Sequence, residues 1–215
     1  ESVLKNKIDQ FGAFGAAAIG EEEFYTLQNN LMKITFSTKG GKIAAVELLN
    51  YQTHDSLPLM LFEGPKTLFG LNFFAQNRSI QTDQLYFKSL SSKKELIVSR
   101  PEVKKGSEGK IKANIENPGG KESFRMRLEI APGKYMEYVY TLEHNSFLVD
   151  FDMNMVGLDQ YIDRNQSDLV FNWSYDLPRQ ERKSKFGEDR YTRISYKFFE
   201  DELDKLSQTK SDDAN

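Results

Sequence analysis

The sequence predicts an all-β fold, a large antiparallel sandwich, on three observations. The stretch Leu31 to Tyr51 reads as two strands joined by a tight turn. The middle of the chain, from Phe124 to Met155, repeats the same apolar–polar alternation over further strands. Turn signals recur at near-regular intervals and divide the chain into roughly a dozen short strands, the spacing of a sandwich. An aromatic share of 13%, mostly Phe and Tyr, points the same way.

In the opening pair, Met32, Ile34 and Phe36 alternate with Lys33, Thr35 and Ser37, a period of two that places the apolar set on one face. Gly40-Gly41 supplies the positive φ angles of a two-residue hairpin turn. Beyond it, Ala44, Val46 and Leu48 alternate with Ile43, Ala45, Glu47 and Leu49, which predicts a strand buried on nearly both faces. Phe124, Met126, Leu128 and Ile130 alternate with Arg125, Arg127 and Glu129. Tyr135 to Leu142 and Phe147 to Met155 flank the turn Glu143-His144-Asn145-Ser146. Leu169 to Leu177 places Phe171, Trp173 and Tyr175 on one side, followed by a charged loop, Pro178 to Arg190, and a last strand, Tyr191 to Phe198.

The two ends differ from this body. Residues 1–22 are rich in Ala, Gly, Lys and Glu, and Val3, Leu4, Ile8, Phe11 and Phe14 sit near helical spacing, so a short helix or lead-in is expected there. At the other end Phe199, Leu203 and Leu206 fall on one helical stripe, and the acidic Glu200, Asp201 and Glu202 would complement a helix N-terminus. The expected organisation is a lead-in over 1–22, a sandwich over 23–198, and a short C-terminal helix with a frayed tail over 199–215.

Composition narrows the function classes. The net charge of −3, from 29 basic and 32 acidic residues, leaves no electrostatic footprint for nucleic acid. The absence of cysteine excludes a disulfide framework, a thiolate zinc site and a cysteine nucleophile. No stretch approaches the roughly 20 apolar residues that span a bilayer. The sequence opens at Glu1 without a methionine, so the chain is expected to be an excised piece of a longer protein, with any membrane anchor outside it.

Few residues converge on chemistry. His54 follows a strand and His144 lies in a hairpin turn; both read as solvated turn residues rather than an acid/base pair, and no His-x-His or His-x-x-x-His spacing makes a metal site. No cofactor is expected. Asp150 and Asp152 share a face at i, i+2, which reads as the polar side of an amphipathic strand rather than a catalytic pair. Gly40-Gly41 lacks the Lys-Ser/Thr ending of a phosphate loop. Asp55-Ser56-Leu57 resembles the Asp-Ser/Thr-aliphatic acceptor of O-glycosylation in some Gram-negative lineages, making Ser56 a candidate modification site. Phe171, Trp173 and Tyr175 have two open readings: the lining of a groove for an apolar or peptide ligand, or sandwich core.

Three blocks carry a family resemblance. They are Ser37-Thr38-Lys39-Gly40-Gly41-Lys42-Ile43 with Glu47-Leu48-Leu49-Asn50-Tyr51; Tyr138-Val139-Tyr140-Thr141-Leu142 with Ser146 to Phe151; and Trp173 with the charged loop and Tyr191 to Tyr196. In order and spacing, over roughly residues 24 to 198, they resemble the large periplasmic domain of the YidC membrane-protein insertases. The resemblance implies a β-supersandwich similar to galactose mutarotase, carried between the first two transmembrane helices of an inner-membrane protein of Gram-negative bacteria. It implies a non-enzymatic role in membrane-protein insertion and folding, with Sec translocon components and nascent membrane proteins as partners. The alternative reading is a carbohydrate-binding or aldose-epimerase-like sandwich of mutarotase type. Mutarotase chemistry depends on a His and a Glu facing a sugar, and neither His54 nor His144 stands where that would be expected.

Overall fold

The computed structural model describes residues 2–64, 67–100, 103–105, 111–113, 120–162, 169–178, 180, 194–196, 200 and 202–206. Most of the charged loop predicted over 178–190, and the tail 207–215, lie outside these residues.

The chain begins with helix α1 (Ser2–Phe11), closed by a 3-10 turn over Gly12–Ala18. Gly12 takes φ +58°, the left-handed conformation that ends helices and that glycine adopts without steric penalty. The strands follow in order: β1 (Phe24–Gln28), β2 (Met32–Ser37), β3 (Lys42–Gln52), β4 (Pro58–Glu63), β5 (Leu68–Ala75), β6 (Arg78–Gln81), β7 (Lys88–Ser89), β8 (Glu95–Ile97), β9 (Val103–Lys105), β10 (Ile111–Ala113), β11 (Lys121–Ala131), β12 (Lys134–Glu143), β13 (Val149–Val156), β14 (Val170–Ser174), β15 (Ile194–Tyr196) and β16 (Asp204–Leu206).

Three sheets dominate. The first runs β4-β3-β2-β1-β8, the second β13-β12-β11-β7 and the third β14-β5-β6, while β9–β10 and β15–β16 form two-stranded pairs. The neighbours are antiparallel with one exception: β8 runs parallel to β1, Thr26 facing Glu95. Parallel neighbours need a long connection, and the one between β1 and β8 takes in six intervening strands.

The alternation read from the sequence sets the core. Met32, Ile34 and Phe36 of β2, Phe124, Met126 and Leu128 of β11, and Met136, Tyr138, Tyr140 and Leu142 of β12 are all buried. Phe36 joins the first sheet to the second, its ring 4.8 Å from those of both Phe124 and Tyr140. Phe69 of β5 joins the third sheet to the second, 6.1 Å from Tyr138 and 6.2 Å from Tyr140. Each such buried aromatic contributes about 1.5–3 kcal/mol through area removed from water.

Two polar fastenings close this core. The Tyr140 hydroxyl donates to the Gly41 carbonyl at 2.6 Å, which ties β12 to the turn between β2 and β3. That turn is longer than the two-residue hairpin expected: Thr38 to Gly41 lie between the strands, with φ +78° at Gly40 and +63° at Gly41. A Cβ on Gly41 would stand 2.9 Å from the Tyr138 ring and 3.0 Å from Phe87, so both backbone angle and space require glycine. The second fastening is Asn29, buried between β1 and β2. Its amide donates to the Glu143 and Ser146 carbonyls at 2.7 Å each, while its oxygen accepts from the backbone N–H groups of Leu31 and Met32.

The structure corrects two expectations. Residues 204–206 are not helical: they form β16 and pair antiparallel with β15, Leu206 opposite Ile194. The apolar spacing of Phe199, Leu203 and Leu206 and the acidic run Glu200 to Glu202 were the grounds for a helix there, and so short a window does not arbitrate between periods. Strand β3 is also not buried on both faces; Val46 alone of its residues is fully buried, and Leu49 and Tyr51 are exposed. Its apolar content is that of a strand half-covered by its neighbours.

Candidate functional site

Phe171 and Trp173 of the predicted aromatic trio share one face of β14, and its pairing with β5 shows which; Tyr175 follows the end of the strand. Trp173 stands opposite Phe69 and Phe171 opposite Leu71. Residues opposite one another project from the same side of a sheet, and Phe69 and Leu71 are buried. Phe171 and Trp173 therefore sit on the core side of the third sheet. Yet Phe171 is 42% exposed, Trp173 59% and Tyr175 36%. Among the described residues both β14 and β13 are edge strands, so the core face of β14 projects past the margin of the second sheet.

The result is an aromatic seam along that margin. Phe151 of β13 lies 5.3 Å from Phe69 and 6.3 Å from Phe171. Trp173 lies 5.5 Å from Tyr175, whose ring reaches Phe62 of β4 at 4.8 Å. Phe62, Phe69 and Phe151 were not singled out from the sequence. Period-two alternation marks Phe151 as inward-facing, but joining it to Phe171 needs the packing of two sheets that no local pattern specifies. Phe147 and Leu148, just before β13, are also exposed. The seam is an exposed apolar patch at the margin of two sheets.

The other candidates are dispersed. His54 lies in the loop between β3 and β4, with Nδ1 3.7 Å from Asp55 and both side chains exposed. His144 lies in the turn between β12 and β13, at the end of a different sheet. Asp150 and Asp152 are exposed on the outer face of β13, and Asp150 stands 3.8 Å from Lys121. Ser56 is exposed at the tip of the β3–β4 loop with φ +64°. Thr53 shapes that tip: its hydroxyl donates to Asp55 at 2.6 Å and accepts from the Leu57 N–H at 3.1 Å. The Thr53 hydroxyl holds the Asp55 carboxyl below its usual range.

The strongest shifts of ionisation belong to the core. Burial pushes the Tyr138 hydroxyl up to about 12, against the opposing hydrogen bond from Thr82, and pushes Tyr140 well above the ordinary tyrosine value. Both groups stay neutral at physiological pH. Their hydroxyls fasten the structure, Tyr140 to Gly41 and Tyr138 to Thr82 at 3.3 Å.

Comparison with known proteins supplies what the site alone does not. Residues 25–215 match the family model of the YidC periplasmic domain. Proteins named membrane protein insertase YidC are similar along nearly the whole chain. That of Parabacteroides distasonis is 32% identical over 99% of this chain and 30% of its own length. That of Bacteroides fragilis is 28% identical over 100% of the chain and 31% of its own length, and that of Porphyromonas gingivalis 31% identical over 95% and 28%. The chain thus spans about three tenths of the length of these curated relatives. On the match over residues 25–215, the chain belongs to the YidC periplasmic domain family and has its place on the periplasmic side of the inner membrane.

Proposed function

We propose that the chain works without catalysis, as an interaction and scaffolding domain of an inner-membrane insertase that assists the insertion and folding of membrane proteins. The observation that carries this reading is the family match over residues 25–215. The geometry supports it: among the described residues His54 and His144 stand on separate loops, while several aromatic side chains gather at the β13–β14 margin. Nascent membrane proteins and Sec translocon components are the proposed partners. The seam of Phe171, Trp173 and Tyr175 is the proposed contact for their extended apolar segments. Three sheets sharing one core favour a β-supersandwich architecture for the domain.

A photoreactive amino acid at position 173 of the membrane-bound protein, challenged with a ribosome-bound nascent membrane protein, tests this reading. Adducts to the nascent chain or to a translocon subunit are expected at several times the yield from exposed Lys93. Equal yields at both positions would remove the seam from the function. Ser56 is the proposed O-glycan acceptor, on its exposed tip after Asp55. The intact mass of natively expressed protein decides it, and an unmodified mass would end that proposal.

A further inference from the structure

A second site lies away from the seam, where the segment from Ala16 to Glu23 crosses β7 and β11. It encloses a cleft of about 320 Å³, at the lower end of the roughly 300–1,000 Å³ range of small-molecule sites. The backbone N–H of Tyr86 donates to the Ala17 carbonyl at 2.7 Å and pins the segment in place. Gly20 passes so close to Tyr86 that a Cβ would stand 2.7 Å from the ring.

We propose that this cleft binds a small zwitterion, a molecule with an oxyanion at one end and a primary ammonium at the other. Lys88 and Arg127 stand opposite one another in the β7–β11 pairing and so leave the sheet on one face. Arg127 is held rigidly: its guanidinium lies 3.7 Å from the centre of the Tyr135 ring, and Nη2 donates to Glu137 at 3.0 Å. Arg127 lines the cleft together with Lys88, so its guanidinium presents one cation to an oxyanion there. Lys88 has no ion pair among the described residues and supplies the second cation for an oxyanion.

The acidic part of the lining selects the rest of the ligand. Glu23 is already engaged, by Lys94 at 3.2 Å and by the Tyr25 hydroxyl at 2.8 Å. Glu21, and Glu129 two residues along β11 from Arg127, have no ion pair among the described residues. A simple anion would meet these two carboxylates, and a simple cation would meet Lys88 and Arg127. A zwitterion alone satisfies both sets, so the lining discriminates through repulsion as well as attraction. Phosphoethanolamine headgroups and short peptides share this chemistry.

Isothermal titration of the purified protein tests the assignment with O-phosphoethanolamine and glycylglycine, against inorganic phosphate, acetate and ethanolamine as the separate halves. At least one zwitterion should saturate at one site, with each half about tenfold weaker or worse. The tighter of the two zwitterions identifies the oxyanion as phosphate or carboxylate. Lys88→Gln and Glu129→Gln alter exposed side chains that should not disturb folding, and each is expected to weaken binding about tenfold. No saturable heat with either zwitterion would overturn the proposal. So would halves that bind as tightly as the whole, or binding indifferent to both substitutions.

Discussion

The lead-in flank and the β13–β14 seam are built from the same kind of residue and end in opposite states. On the flank, Phe11, Phe14 and Ala18 are buried, and the Phe14 ring meets Phe73 edge-on at 5.6 Å. Arg78 donates to the Asp9 carbonyl at 2.9 Å, and Glu23 and Thr38 exchange hydrogen bonds of 2.8 and 2.9 Å where the segment enters the first sheet. At the seam, Phe171 and Trp173 lie on the core side of their sheet and remain open. The difference is not one of hydrophobicity. The flank has a chain folded back over it, whereas the seam lies where two sheets end. Amphipathic patterning decides which face a side chain takes, and covering that face is a separate, tertiary matter.

The sharpest way to break this comparison is truncation on the closed side. Phe14→Ala should destabilise the fold by about 3–5 kcal/mol, since it empties a fully packed site. Urea unfolding measures it; a loss below 1 kcal/mol would mean that the flank is no better packed than the seam. The next effect is alkaline, and it tests the core that both regions border. Burial pushes the Tyr138 hydroxyl up to about 12 in the folded protein, above the ordinary tyrosine value of about 10. Its contribution is fully present below pH 10 and is lost as pH rises through about 12, because the unfolded chain ionises first. The difference corresponds to about 2–3 kcal/mol. Urea midpoints between pH 8 and 12 should fall, and Tyr138→Phe should flatten the fall while Tyr140 keeps part of it. An equally steep fall in the variant would place the alkaline loss elsewhere.

Much of the fold could be read from period and turn chemistry. Met32, Ile34 and Phe36, and later Phe124, Met126 and Leu128, announced buried faces because alternation is a local property that the sheet preserves. Gly40 and Gly41 announced positive φ angles for the same local reason. The parallel partnership of Thr26 with Glu95 was illegible, since nothing near either residue specifies a neighbour about seventy residues away. Leu206 was misread because its few neighbours fit a helical stripe as well as a strand, and its pairing with Ile194 decided the matter. At the candidate sites, the common face of Phe171 and Trp173 was legible. Their exposure was not, nor was the meeting of Lys88 with Arg127, which depends on the register of two strands far apart in sequence.

A smaller effect is expected at the fastening between β1 and the β12–β13 turn. Asn29→Ala leaves the Glu143 and Ser146 carbonyls without their donor and the Leu31 and Met32 N–H groups without their acceptor. The expected loss is about 1–3 kcal/mol. Asn29→Asp separates the two halves of the bond set: it keeps an acceptor for the N–H groups and turns a negative oxygen toward the two carbonyls. It should therefore be no more stable than the alanine variant. An aspartate variant close to the parent protein in urea midpoint would show that the carbonyl contacts contribute little.

The smallest stability effect belongs to the seam, and it is the one that most directly tests the contrast with Phe14. Trp173 is the sole tryptophan of the chain, so its fluorescence reports that margin alone. At 59% exposure, with ring contacts to Phe69 and Tyr175, its removal forfeits less buried area than that of a core aromatic. Trp173→Ala should cost about 1–2 kcal/mol, well below the loss at Phe14. The native emission should be red-shifted and open to quenching by acrylamide, and it should move to the blue when an extended apolar peptide covers the seam. A cost near that of Phe14→Ala, or an emission already blue and shielded in the unliganded protein, would show the seam to be core. The same aromatic pattern would then have one structural outcome in this fold, not two.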